Sequence, residues 1–125
     1  MIDFNNKVLF KLKPCDDDRF AKIISPMLLD DERVISAFSA VRDGVVFTNY
    51  RVMSINVQGV TGKKVDITSM PYKKIQAFSV ETAGVIDLDA EMDLWFSGMG
   101  RVRFEFSGNC NIKQLANIIG GYTIR

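Results

Sequence analysis

The sequence predicts a mostly β domain finished by one helix. The expected form is a barrel or bent antiparallel sheet of about seven strands, capped by a C-terminal helix and preceded by a short helical lead-in. Three observations carry this. Residues 34–107 alternate apolar and polar side chains with the period of two that places neighbours on opposite faces of a strand. Turn-forming residues cut that stretch into short, evenly spaced pieces, as antiparallel sandwiches and barrels require. Near the C-terminus, Ile112, Leu115, Ala116 and Ile119 recur at helical spacing and form one narrow apolar stripe. At 125 residues and 47% hydrophobic content, the chain has the length of one domain and can build a core without a metal or disulfide staple. The helical extension covers residues 1–33 and the sheet-and-helix body residues 34–125, one structural domain in all.

In chain order, Asp16-Asp17-Asp18 places acids where they offset the dipole at a helix start. Phe20, Ile23, Ile24, Met27 and Leu28 follow at helical spacing, and Pro26 predicts two short helices or a kink. Asp30-Asp31-Glu32-Arg33 reads as an exposed turn. In the alternating zone the clearest strand is Ile86 to Phe96. Ile86, Leu88, Ala90, Met92, Leu94 and Phe96 face one way there; Asp87, Asp89, Glu91, Asp93 and Trp95 face the other. Ser97-Gly98-Met99-Gly100 is a hairpin turn with glycines free to take positive φ. The next strand points Val102, Phe104 and Phe106 inward and Arg101, Arg103 and Glu105 outward. Further turns are predicted at Asp43-Gly44, Thr48-Asn49-Tyr50, Gly59 to Gly62, Met70-Pro71-Tyr72 and Ala83-Gly84. The final helix spans about Asn111 to Ile119, with Asn109 or Asn111 as its cap and Gly120-Gly121 as its end.

Composition excludes several functions. The chain has no histidine, which removes the usual general base and the commonest metal ligand. Its net charge is +1, whereas duplex-binding surfaces carry an excess of Lys and Arg, so no nucleic acid is expected. Cys15 and Cys110 are isolated, cannot make a structural zinc site alone, and are expected to be reduced. Neither a signal-like start nor a long apolar run is present, so the expected location is cytoplasmic. No cofactor, no metal and no catalytic residue is expected.

About seven strands followed by one amphipathic helix is the pleckstrin-homology-like (PH-like) layout, and particular segments go further. Val45-Val46-Phe47-Thr48-Asn49-Tyr50-Arg51-Val52 resembles the "FTN.R" strand–turn–strand of bacterial PH domains. Val57 to Lys64 is similar to the next loop of that family, Pro71 to Gly84 to its central segment, and Asp87 to Gly98 to the strand that follows. The likeness runs from about Asp31 to Tyr122. It implies a largely uncharacterised family without assigned activity or catalytic residues, and it implies a homo-oligomeric ring. Eukaryotic relatives that bind phosphoinositides use Lys and Arg on the first two strands and the long loop between them. Here that junction, Val41-Arg42-Asp43-Gly44-Val45, is short and sets one arginine beside an aspartate, which argues against a membrane lipid at that place.

Two constellations remain as candidate surfaces. If Phe96 and Gly100 flank the turn, Asp93 lies opposite Arg103 and Trp95 opposite Arg101. The acidic row then reads as the wet face of a strand, paired across, with a charged docking face as the functional alternative. Trp95 with Asp93, Arg101 and Arg103 is therefore the candidate interface, since an exposed indole marks contact surfaces as readily as it makes a local cation–π pair. Lys63, Lys64, Lys73 and Lys74 flank one strand at its two ends as solvated turn lysines or as an anion-binding patch. Gly59-Val60-Thr61-Gly62-Lys63 lacks the spacing of a phosphate loop and leads into a strand. The resulting reading is a non-catalytic assembly module, not an enzyme, forming a homo-oligomer or meeting a protein partner. Binding of an anionic lipid or other anion is the alternative.

Overall fold

In a computed structural model of the chain, the described residues are 1, 9–85, 88–108 and 110–125, with side chains from Lys11 onward through the first strand. They form β1 (Leu9–Cys15), α1 (Ala21–Ile24), β2 (Val34–Ala40), β3 (Asp43–Thr48), β4 (Arg51–Gln58), β5 (Lys64–Pro71), β6 (Ile75–Glu81), β7 (Ala90–Phe96), β8 (Gly100–Phe106) and α2 (Ile112–Thr123). The strands make one sheet in the order β5-β4-β3-β2-β1-β8-β7-β6. Neighbours are antiparallel except β1 and β8, which run parallel. The sheet is not closed: β5 and β6 follow each other through a 3₁₀ turn at Tyr72–Lys74 yet stand at opposite ends of the order.

Two apolar layers lie on the two faces. Phe38, Val45, Phe47, Val52 and Met70 join Met92, Leu94, Phe96, Val102, Phe104 and Phe106 in the main core, which Ile112, Leu115 and Ile119 of α2 cover. This is the stripe expected to cap the sheet. The opposite face of the β2–β5 half carries Ala37, Val46, Met53 and Ile55, covered by Phe20 and Ile24 from the lead-in. The alternation of β7 and β8 is as expected from Ala90 to Phe106, including buried Met92, Leu94, Val102 and Phe104.

Several expectations need correction. The lead-in contributes a strand as well as helix: β1 fills the gap between β2 and β8, giving eight strands. Its alternation is broken at Lys11, whose φ of 58° accompanies a register shift against β8. The strand ending at Phe96 starts at Ala90; Leu88 lies outside it and is 62% exposed, while Ile86 and Asp87 fall outside the described residues. Asp43-Gly44 is not a turn but the start of β3; Val41-Arg42 is the turn. Gly44 is there for space. A Cβ on it would stand 2.1 Å from the Phe20 ring, so the ring seats directly on bare backbone. Pro26 does break the lead-in helix, into α1 and a 3₁₀ turn at Ser25–Met27. The final helix is capped by Asn111, whose side chain accepts from the Gln114 amide; Asn109 is outside the described residues. It does not stop at Gly120-Gly121. Glycine ends a helix by taking positive φ; these two do not, and the helix continues to Thr123.

Candidate functional site

The Thr48-Asn49-Tyr50-Arg51 segment links β3 to β4, and its polar groups turn inward onto the end of the lead-in. Glu32 was expected in an exposed turn, yet its side chain is fully buried. Arg51 donates to it through Nε at 2.9 Å and a terminal nitrogen at 2.8 Å, Thr48 Oγ1 at 2.7 Å and the Leu29 amide at 3.1 Å. Burial pushes the Glu32 carboxyl up, and these donors outweigh it, holding the group below the usual carboxylate range. Arg51 also donates to Ser69 Oγ and the Met27 carbonyl. Asn49 ties the same loop from both sides, donating to the Asp31 carbonyl and accepting from the Arg33 amide. The FTN.R segment thus clamps the lead-in, with most of its donors engaged within the chain.

Beside this clamp lies a groove of about 630 Å3. Met27, Leu29, Tyr50, Pro71 and Tyr122 supply its apolar walls and Lys73 a cation. Tyr122 stacks on buried Tyr72, ring centroids 5.6 Å apart and planes at 23°. The Tyr72 hydroxyl donates to the Thr48 carbonyl at 2.7 Å, and burial pushes its pKa well up, so it stays protonated. Sequence reasoning missed this site. Its parts come from four separate segments, and only Lys73 among them was a candidate site residue.

The cross-strand pairs of the β7–β8 hairpin fall in the expected register. Trp95 pairs with Arg101 and Asp93 with Arg103 across β7 and β8. The Arg101 guanidinium sits 5.9 Å from the Trp95 ring centroid, and the indole remains 43% exposed. Arg103 holds Asp93 in two bonds of 2.8 and 3.0 Å and reaches Glu91 at 3.7 Å, which drives its pKa further up. Asp93 is accordingly paired across the strands, while Glu91 shares the same guanidinium at longer range. Ala77 of the edge strand β6 lies on the other side of Trp95.

The four lysines do not form one patch. Lys63 and Lys64 stand at the start of β5, Lys73 and Lys74 beyond its end, roughly 23 Å away at about 3.3 Å per residue. Cys15 and Cys110 line a common shallow groove beside the start of α2. Both are free thiols; burial pushes Cys110 up to about 11 and raises Cys15, which leaves them protonated and weakly nucleophilic at neutral pH. Among the described residues no cluster of three metal-ligating side chains exists, and no helix is long and apolar enough to cross a membrane.

The family model for the bacterial PH domain matches residues 3–123. The chain belongs to the bacterial PH domain family. That span includes the lead-in, in keeping with β1 as an integral strand of the sheet. A crystal structure of a DUF1696 family protein with a pleckstrin-homology domain from Shewanella loihica PV-4 superposes with a TM-score of 0.78 at 37% identity, covering 91% of this chain and 98% of that one. A pleckstrin homology domain from Shewanella amazonensis SB2B gives 0.65 at 42% identity over 86% and 88%. The uncharacterized protein YjqA of Bacillus subtilis (strain 168) is 51% identical over 75 residues, a match spanning 60% of each chain. The Bacillus subtilis relative is itself described as uncharacterized.

Proposed function

We propose that this bacterial PH domain is a non-catalytic assembly module that binds copies of itself through its open sheet edge and the outward side chains of β7 and β8. The observation that carries the reading is β6. It is an edge strand of seven residues, paired with another strand on one side only among the described residues, without proline and exposed at most positions. Such edges pair readily with other chains unless they are blunted. Next to it stands the Trp95–Arg101 pair, an aromatic and an arginine of the kind that dominates interface energetics. The net charge of +1 does not oppose self-association. The two unpaired thiols fit a reducing compartment, so the same proposal has the module in the cytoplasm.

Size-exclusion chromatography with light scattering tests this directly. The expected result is a discrete oligomer that Ser79→Pro on β6 and Trp95→Glu on β7 each dissociate without unfolding. A strict monomer at high micromolar concentration removes the reading.

A further inference from the structure

The groove between the FTN.R clamp and the end of α2 is a built cavity, distinct from the β6–β7 surface, and its chemistry is specific enough to name an occupant. The geometry points to a binding site for a small organic anion with a flat apolar body, such as an aromatic carboxylate or sulfonate. This inference stands whether or not the chain self-assembles.

Size is the first ground. The groove's volume of about 630 Å3 lies within the roughly 300–1,000 Å3 of small-molecule sites, which are mostly apolar with a few placed polar groups. Its back wall is rigid, because Glu32, Thr48, Asn49 and Arg51 are locked to one another. Shape is the second. Tyr122 already stacks on Tyr72 and remains partly exposed, so a further flat ring against it extends a stack that exists. Exposed Leu29 and Met27 offer apolar contact facing it.

Charge decides the sign. Glu32 is cancelled by Arg51, and the donors of Arg51 are directed to Glu32, Ser69 and the Met27 carbonyl. Asp31 accepts the Tyr50 hydroxyl and keeps its charge, but it does not line the groove, whose charged residues are Glu32, Arg51 and Lys73. Lys73 makes no ion pair among the described residues. What the groove presents to a ligand is therefore one unmatched ammonium at the edge of an apolar, aromatic slot. An anion on a flat ring satisfies both; a cation is repelled, and an uncharged body leaves Lys73 unused.

The test is a fluorescence titration of the full chain with anilinonaphthalene sulfonate, run at two salt concentrations, with near-UV circular dichroism confirming the native fold of every variant. Saturable binding at one site is expected, weakening with added salt. Lys73→Glu and Leu29→Glu should each weaken it by about tenfold, as loss of a partly exposed charge pair or of an apolar wall implies. Lys64→Glu, at the other end of β5, should leave it within about twofold. Nile red, which is uncharged, serves as comparator and should respond to Leu29→Glu but not to Lys73→Glu. The inference is overturned if Lys73→Glu binds the sulfonate like the parent, if Lys64→Glu is equally harmful, or if binding does not saturate.

Discussion

The two halves of the sheet solve the same problem in different ways. In the β2–β5 half both faces are covered, by the main core on one side and by Phe20 and Ile24 of the lead-in on the other. β3 is buried at nearly every position, and Thr48 at its end donates to the buried Glu32. In the β6–β8 half only one face is covered. The other is left to water, to the Arg103–Asp93 pair and to Trp95. The difference teaches where each half is vulnerable: packing and buried charge on one side, edges and exposed rings on the other.

The largest expected effect lies in the doubly covered half. Glu32→Ala leaves Arg51 without its carboxylate in a mostly buried site, and should cost about 3–5 kcal/mol in urea-induced unfolding. The same group sets a pH dependence. Its folded pKa is lowered, so the unfolded chain binds more protons, and its contribution to stability is complete above the unfolded value of about 4.3. That contribution is lost as pH falls from there through the folded value. Glu32→Gln should flatten this limb of the stability–pH curve; an unchanged acid limb would show that other carboxylates carry it.

Gly44→Ala comes next. The added methyl collides with the Phe20 ring, and about 1–3 kcal/mol of destabilisation is expected, with the lead-in more open to proteolysis. If the lead-in were a loose appendage, the substitution would be silent. By contrast, a double-mutant cycle on Asp93 and Arg103 in the singly covered half should return a coupling of only about 0.2–1 kcal/mol. The smallest effect separates the hairpin turns. Gly98 takes a φ of 83° in the β7–β8 turn, whereas the β2–β3 turn asks a φ of 54° of Val41, a β-branched residue 96% exposed. Val41→Gly should raise stability by up to about 1 kcal/mol by relieving left-handed strain, and thermal unfolding reads this directly.

The contrast also explains what could be read from the sequence. The β7–β8 hairpin was legible down to its cross-strand pairs, because one wet face preserves the alternation and Gly98 and Gly100 mark the turn. The α2 stripe was legible for the same reason. Where both faces are buried, pattern carries less information. Glu32 lies in an acidic run that resembles a solvated turn, and only Arg51, 19 positions on, makes it a buried residue. β1 was hidden by the kink at Lys11, which destroys its period. Gly120-Gly121 signals a helix end that packing overrides. Of the surfaces, the Trp95–Arg101 pair was visible as a pair, while the groove at Lys73 was not, since its walls are assembled only by the fold.

The position of β1 has a consequence for how the molecule is made. It joins β2 to β8, and the Leu12–Phe106 pairing brings together the first and last of the described strands. Contacts of such separation form late, because the entropy of closing the loop is lost before the pairing compensates. On a ribosome the chain emerges from its N-terminus, so β1 and β2 can dock long before β8 exists. Until then β1 shows a bare parallel edge, and completing the sheet waits for β8.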